Sequence, residues 1–370
     1  MNKICFVIPR TYYLFYPKTS GTKVIPGGAQ MQVFYLSTTI AEDKNFNVHF
    51  LLADFGQADF EIRQNVKLHK SFKLSENIFK RIRKLFKTLR KINADTYIFR
   101  SADAGVALSV LFVKKILKKK VLYMLASDVE MSKALQKKYS GFFTAFMMQY
   151  VYKHADILTS QTLQQAELLK KHRNRKPDAV IKNIFPEKSN SNIDFKDKQT
   201  ILWVGRLTEV KKPELFLKLA GKYSDQKFVM IAPSGVNKKE YGNLIYEKGK
   251  HIKNLQIINY VKPSEIFDFY KKAKIYVITS EFEGFPNTMA EAMQAECAVL
   301  TYAVNPDNIL TEYNFGFCAG KNIDKFYRDF EKLLENSELR KEFGINGKKY
   351  IIEHHQKSKI VDDFKNILLK

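Results

Sequence analysis

Ten short apolar runs alternate with longer helix-forming stretches along the whole chain, and this alternation leaves few folds open. The runs cover residues 4–8, 48–52, 96–99, 121–125 and 157–159, then 201–204, 228–231, 255–258, 275–278 and 299–301. Predominant apolarity over three to five residues suits a strand buried on both faces, and strands separated by helices pair in parallel through crossover connections. The predicted class is α/β. A polar run at residues 187–194 separates two such series, so residues 1–190 and 191–356 are expected to form two domains, with a helix near 357–370 crossing back to the first. At 370 residues and 45% apolar content the chain can fill two cores.

Charge is distributed unevenly between these halves. The chain holds 62 Lys and Arg against 38 Asp and Glu, a formal net charge of +24. Residues 1–190 carry 33 of the cations and 14 of the anions, hence +19, while residues 191–370 carry 29 and 24, hence +5. Within the first half, residues 79–91 contain seven basic side chains and no acid, and Ile78, Ile82, Leu85, Leu89 and Ile92 recur at helical spacing. The pattern predicts a helix packed by that stripe, with Lys80, Arg83, Lys84 and Lys87 facing water or an anionic lipid surface, where each basic side chain is worth about 1 kcal/mol. Lys114, Lys115 and Lys118 to Lys120 add a second cluster. So basic a surface also suits nucleic acid, but no nucleic-acid-binding motif accompanies it, and no specific nucleic acid is expected.

Cys5, Cys297 and Cys318 are odd in number and lie in or beside apolar runs, which predicts buried thiols in a reducing compartment. The first run is too short for a signal peptide, and no segment reaches the roughly 18 to 20 apolar residues needed to cross a bilayer. A cytoplasmic protein, peripheral at the inner face of the cytoplasmic membrane, is the expectation. The seven histidines show no ligand spacing, and the adjacent His354 and His355 are expected on a helix surface.

Chemistry concentrates in two segments of the second half. Residues 280–293 place Glu283 in a strand-to-helix loop and Glu291 about two turns into the helix, with Phe285 and Pro286 between them. The backbone N–H groups of Asn287, Thr288 and Met289 then open the helix, where an anion is favoured by unpaired donors and by the dipole. The carboxylates supply acceptors for hydroxyl groups. Upstream, the run 201–204 ends in Gly205, read as a tight turn, and Arg206 and Lys211 precede a helix that Pro213 can open. Two cations at this position can neutralise a diphosphate; alternatively Arg206 only pairs with a surface carboxylate.

Together these segments resemble the retaining family 4 glycosyltransferases of the GT-B fold, the glycosyl transferases group 1, in which Gly-Arg-Leu, Lys, Glu-Gly-Phe-Pro and a second Glu before Ala-Met recur in this order. Residues 26–30 (Pro-Gly-Gly-Ala-Gln) look like the family's glycine-rich acceptor-side loop, residues 153–160 like its last N-domain strand, and residues 181–186 like the entry to its linker. Three positions depart from the pattern. Residues 232–235 read Ala-Pro-Ser-Gly where Gly-x-Gly is usual, residues 296–298 read Glu-Cys-Ala where Gly-x-Pro is usual, and residues 126–128 read Ala-Ser-Asp where a histidine often stands.

The resemblance implies two Rossmann-like domains facing each other across a cleft, and transfer of a sugar from a nucleotide diphosphate sugar, UDP-linked in expectation. It implies that Glu291 accepts from the ribose hydroxyls, that Glu283 accepts from the transferred sugar, and that Arg206 and Lys211 stabilise the departing diphosphate. Gly205, Phe285, Pro286, Asn287 and Thr288 would shape the donor site. Gly27 and Gly28 would let backbone approach donor phosphate or acceptor, or would simply form a turn. Asp128 would orient an acceptor hydroxyl or the donor sugar, or would cap a helix. No cofactor and no metal are expected, because the basic residues already supply the compensating charge. The basic first half suggests a lipid-linked or membrane-associated glycan acceptor in bacterial surface polymer synthesis, such as lipopolysaccharide or capsule. Two other readings are a nucleotide-sugar epimerase of the non-hydrolysing type and a non-catalytic basic lipid- or RNA-binding protein.

Overall fold

The computed structural model describes residues 1–17, 27–188, 194–233 and 239–369. The chain divides into two compact units, Met1–Ile184 with Lys357–Lys370, and Phe185–Gln356. The division falls ahead of the boundary expected at residue 190. Residues 189–193 of the expected linker, Pro26 of the glycine-rich loop, and Ser234 and Gly235 lie outside the described residues.

In the first unit an eight-stranded sheet has the order β3-β4-β2-β1-β5-β6-β7-β8. The strands are β1 Asn2–Val7, β2 Phe46–Leu52, β3 Phe60–Arg63, β4 Val66–Lys70, β5 Thr96–Arg100, β6 Lys120–Met124, β7 Ile157–Ser160 and β8 Ala179–Val180. All neighbours are parallel except β3 and β4. Because side chains alternate across a strand, β1 feeds two cores: Ile4 and Phe6 point to one and Cys5 and Val7 to the other. The first core is closed by the Gly28–Ile40 and Lys357–Leu369 helices, with the Phe6 ring stacked on Phe50 at 5.9 Å and on Phe364 at 6.5 Å. The second is closed by the Ile78–Ile92, Ala104–Phe112 and Phe142–His154 helices.

The basic helix sits less deeply than its apolar spacing predicts. Leu85, Leu89 and Ile92 are buried, Ile82 is half-buried, and Ile78 at the start is 53% exposed. The β3/β4 hairpin escaped the sequence reading altogether. Its turn is made by Gln64 and Asn65, with φ of 48° and 61°, the mirror-image turn geometry that hairpins favour and that Asn-Gly normally announces.

The second unit holds a six-stranded parallel sheet in the order β11-β10-β9-β12-β13-β14. Its strands are β9 Thr200–Val204, β10 Lys227–Ile231, β11 Leu255–Ile258, β12 Ala273–Ile278, β13 Ala298–Thr301 and β14 Gly316–Cys318. The chain winds outward from β9 in one direction and from β12 in the other, so the carboxyl ends of this adjacent pair form the crevice where ligands bind in such sheets. Here Glu296 adopts a left-handed φ of 54° where the related pattern carries glycine. Its carboxylate pairs with Lys348 at 2.7 Å. Gly344 in the Ser337–His354 helix is fixed by the same contact, since a Cβ there would meet the Glu296 carbonyl oxygen at 2.4 Å.

His355 is not on the surface as expected; it is 2% exposed, packed against Phe185, Phe285 and Tyr350. The three cysteines are unpaired, two of them buried and Cys318 partly so. Among the described residues no helix is long and apolar enough to cross a membrane.

His49 on β2 and His69 on β4 stack with ring nitrogens 2.8 Å apart. Burial lowers both, His49 to about 3 with His69 adding to it, and His69 to about 4 with Lys91 adding to it. Both imidazoles stay neutral in the fold while the unfolded chain protonates near 6.5. Stability should therefore be full above pH 6.5 and fall as pH drops toward the folded values. Thermal melting of the full chain against pH checks this, and His69→Gln should flatten the decline.

Candidate active site

In the second unit the crevice is built by two loops that follow β9 and β12. Gly205 ends β9 with an ordinary negative φ, so a left-handed turn is not what requires glycine. Space favours it, because a Cβ would crowd the Trp203 ring at 3.1 Å, beside the Lys211 side chain at 3.5 Å. The Trp203 indole N–H donates to the Thr279 hydroxyl at 2.9 Å, and that hydroxyl donates to the Lys211 carbonyl at 2.5 Å. A backbone bond from Glu281 N–H to the Val210 carbonyl, 2.8 Å, runs beside it. The two loops are thereby tied edge to edge.

This register brings the expected residues together. Lys211 Nζ lies 2.5 Å from Glu283 Oε1, both side chains about one-fifth exposed, and the Ser280 hydroxyl donates to the same oxygen at 2.9 Å. Arg206 is exposed and makes no ion pair among the described residues. Glu281, which the sequence did not single out, stands between Lys212 at 3.5 Å and Lys321 at 3.3 Å. Burial opposes its ionisation, yet Lys321 and Lys212 hold its carboxyl below the usual range.

The Asn287–Gln294 helix follows β12 and begins at Pro286, whose side chain makes no cap bond, so its first N–H groups lie at the crevice end of the unit. Phe285 and Pro286 are buried, the Phe285 ring 5.8 Å from Phe185 and 4.6 Å from His355, which sets the loop that leads from Glu283 into the helix. Glu291 is partly buried one helical face below, and desolvation raises its carboxyl above the usual range, opposed by the Lys188 charge and the Tyr270 hydroxyl. The Tyr276 hydroxyl reaches the Thr288 side chain and the Val204 carbonyl, at 3.4 Å from the latter. At the other end of the helix the buried Lys198 donates to the Ala295 carbonyl at 2.7 Å and the Ala273 carbonyl at 3.1 Å. A cation on C-terminal carbonyls offsets the dipole and fixes the axis that carries Glu291. A lone lysine in a polar loop gave no sequence signal for this.

In the first unit Gly27 precedes the Gly28–Ile40 helix in extended conformation, φ −74°, and its N–H donates to Gln30 Oε1 at 2.5 Å. A Cβ on Gly27 would meet only that oxygen, at 3.4 Å, so glycine leaves the helix start open rather than enabling a strained turn. Asp128 begins the Asp128–Met131 turn after β6, but the cap is Ser127, whose hydroxyl accepts from Val129 N–H at 3.3 Å. Asp128 Oδ1 instead accepts from the Gln165 amide at 3.0 Å. Gln165 in turn accepts from Gln161 N–H at 2.9 Å, and Gln161 bonds Asn183 at 2.9 Å and the Leu125 carbonyl at 3.0 Å. Buried Glu130 holds the turn from behind, accepting from Tyr123 at 2.6 Å and from the N–H groups of Ala126 and Ser127 at 2.9 and 3.1 Å.

Residues 185–350 match the family described as Glycosyl transferases group 1. The chain is similar to an uncharacterized glycosyltransferase of Methanocaldococcus jannaschii, 25% identical over 99% of this chain and 98% of the relative, and spans 59% of a second from that organism at 26% identity. It is also 24% identical, over 86% of itself and 89% of the relative, to the N-acetylgalactosamine-N,N'-diacetylbacillosaminyl-diphospho-undecaprenol 4-alpha-N-acetylgalactosaminyltransferase of Campylobacter jejuni. Among solved structures it shares its fold with a TarM variant of S. aureus in complex with Fondaparinux, alpha-GlcNAc-glycerol and UDP, at TM-score 0.76, 13% identity and 99% coverage of both chains.

Removing the hydroxyl that joins the two loops should be costly. Thr279→Val leaves the Trp203 N–H and the Lys211 carbonyl without their partner, an expected loss of about 1 to 3 kcal/mol in denaturant unfolding, whereas Thr279→Ser should recover most of it.

Proposed function

We propose that this chain, whose residues 185–350 match the glycosyl transferases group 1 family and whose fold is that of the TarM structure, is a glycosyltransferase that moves a sugar, with retention of configuration, from a UDP-linked donor to a lipid-linked saccharide in the synthesis of a bacterial surface glycan. The observation that carries this is the grouping of Lys211, Glu283 and the start of the Asn287–Gln294 helix at the β9/β12 crevice, with Glu291 on the same helix. A diphosphate fits the donors and a sugar nucleotide's hydroxyls fit the carboxylates. The UDP in the TarM complex and the diphospho-undecaprenol acceptor in the Campylobacter relative's name support the donor and acceptor classes. So does the +19 charge of residues 1–190, which suits an anionic membrane surface at the site of a lipid-linked acceptor.

In the reaction the bond from the anomeric carbon to the diphosphate oxygen breaks, and the acceptor oxygen bonds that carbon on the same face. The acceptor proton passes to the leaving phosphate oxygen. Negative charge grows on the diphosphate as it departs, and Arg206, Lys211 and the N–H groups of Asn287 and Thr288 meet it with donors already in place. Arriving phosphates compete with Glu283 for the Lys211 ammonium, which frees the Glu283 carboxylate to accept from a hydroxyl of the transferred sugar. Glu291, strained toward protonation by burial, gains the hydrogen bonds it lacks when ribose hydroxyls donate to it. These cations carry the compensating charge without a metal ion.

Glu291→Ala should weaken UDP binding by about 1.5 to 3 kcal/mol in calorimetry. Because the ligand favours the ionised form, UDP affinity in the unaltered chain should be full at alkaline pH and decline as pH falls through the raised Glu291 value, and Glu291→Gln should remove that decline. Unchanged affinity in the Ala variant would reject the assignment. Arg206→Ala and Lys211→Ala should lower kcat by about 10²-fold or more with the fold intact, the scale of losing one preorganised donor. Turnover should persist in excess chelator; loss restored by magnesium or manganese would overturn the metal-free route.

A further inference from the structure

The first unit exposes an aromatic tip that its packing does not use. The Lys133–Ser140 helix ends at Gly141, whose φ of 87° turns the chain sharply into the Phe142–His154 helix. At that corner Phe142, Phe143 and Phe146 are 68%, 66% and 68% exposed, with the Phe142 and Phe146 rings stacked at 6.5 Å. Single exposed apolar side chains are ordinary, but three large rings within one helical turn form a patch. The helix is anchored from behind by buried Met148, Val151 and Tyr152, so the rings are held outward by the packing.

Charge marks the same tip. No Asp or Glu occurs from Ser132 to Ala155, while Lys133, Lys137 and Lys138 are exposed and the Lys137 ammonium lies 5.4 Å from the Phe142 ring centre. The Phe142–His154 helix and the basic Ile78–Ile92 helix bury residues in one core and each leads into a parallel strand, β7 and β5, so both start at the carboxyl end of the sheet. Phe79, 81% exposed, opens the second of them. Gly27 and Asp128 stand at that same end of the sheet, after β1 and β6.

We propose that Phe142, Phe143 and Phe146 insert into the headgroup and acyl boundary of an anionic bilayer while Lys133, Lys137 and Lys138 meet its phosphates. The proposal rests on the lipid-linked acceptor reading and specifies the surface that docks. Rings between the acyl chains and lysines reaching back to the headgroups are the arrangement of interfacial segments that bind without spanning.

The full chain is tested by flotation with vesicles of phosphatidylcholine alone and of phosphatidylcholine mixed with phosphatidylglycerol. Binding to the mixed vesicles should drop by about tenfold or more in F142S/F143S/F146S, as expected from losing a part of the burial of three rings, with UDP affinity and melting unchanged. The chain has one tryptophan, Trp203, which is 2% exposed, so Phe143→Trp places the responsive indole at the tip. Its emission should shift to the blue on mixed vesicles and be quenched by lipids brominated along the acyl chain. Undiminished vesicle binding by the triple variant, or a Phe143→Trp signal that stays water-like on bound protein, overturns the proposal. Indifference to both vesicle types, with the triple variant turning a dimer into a monomer, assigns the tip to a second copy of this chain instead. Either result leaves the transferase reading standing, because that reading fails separately if UDP does not bind.

Discussion

Two loops emerge from neighbouring parallel strands, and the Thr279 hydroxyl joins them beside a backbone bond from Glu281 to Val210. It takes the Trp203 N–H and gives its own proton to the Lys211 carbonyl. The position is buried, where an unmet polar group costs most, so the three groups enforce one another. From that junction the rest follows. Lys211 is delivered to Glu283, Glu283 is held by Ser280, and the segment beyond enters its helix at a buried Pro286, whose ring carries no acceptor to cap it. Lys198 secures the far end of that helix, so the carboxylate on it is placed from both sides.

The first unit solves the same problem with neutral groups. Where the second uses ion pairs at its carboxyl edge, the first uses a chain of buried amides running from Arg100 through Asn183 and Gln161 to Gln165 and so to Asp128. Gln32 closes it on one side by exchanging two bonds with the Ile184 backbone, at 3.0 and 2.6 Å. An amide can both donate and accept, so it spans strand ends without leaving a charge to be compensated. Arg100, a cation drawn into that network, is 3% exposed, and burial lowers it to about 10. The same edge that is so closely knit inside turns a bare aromatic corner to the outside.

What the sequence made legible was whatever recurs with a period or follows a strand. Every one of the ten apolar runs forms a strand, because a strand buried on both faces has no alternative use for such residues. The β9 and β12 loops were located from the glycine, the two cations and the two carboxylates, since strand ends are where a parallel sheet gathers side chains. The hairpin of β3 and β4 was missed because Gln64 and Asn65 make a turn that glycine usually marks. Lys198 and Thr279 were missed for another reason: each acts on backbone groups that are distant in sequence, and no local pattern reports such a partner. The pair His354 and His355 shows the limit of helical periodicity at a helix end, where the C-cap His355 turns inward under Phe185.

The Lys357–Leu369 helix gives the chain an uncommon order of assembly. It contributes Ile360, Val361, Phe364, Ile367 and Leu368 to the core that begins with Ile4 and Phe6. On a ribosome the first unit therefore emerges first but waits, with one face of its sheet covered only in part by the Gly28–Ile40 helix, until the whole of the second unit has been made. Domains otherwise tend to fold in the order in which they are synthesised. Here the second unit completes its own core while Phe6 in the first still lacks the Phe364 ring that stacks on it, so the interval of greatest aggregation risk belongs to the segment translated earliest, and its length is set by the time needed to translate residues 185–370.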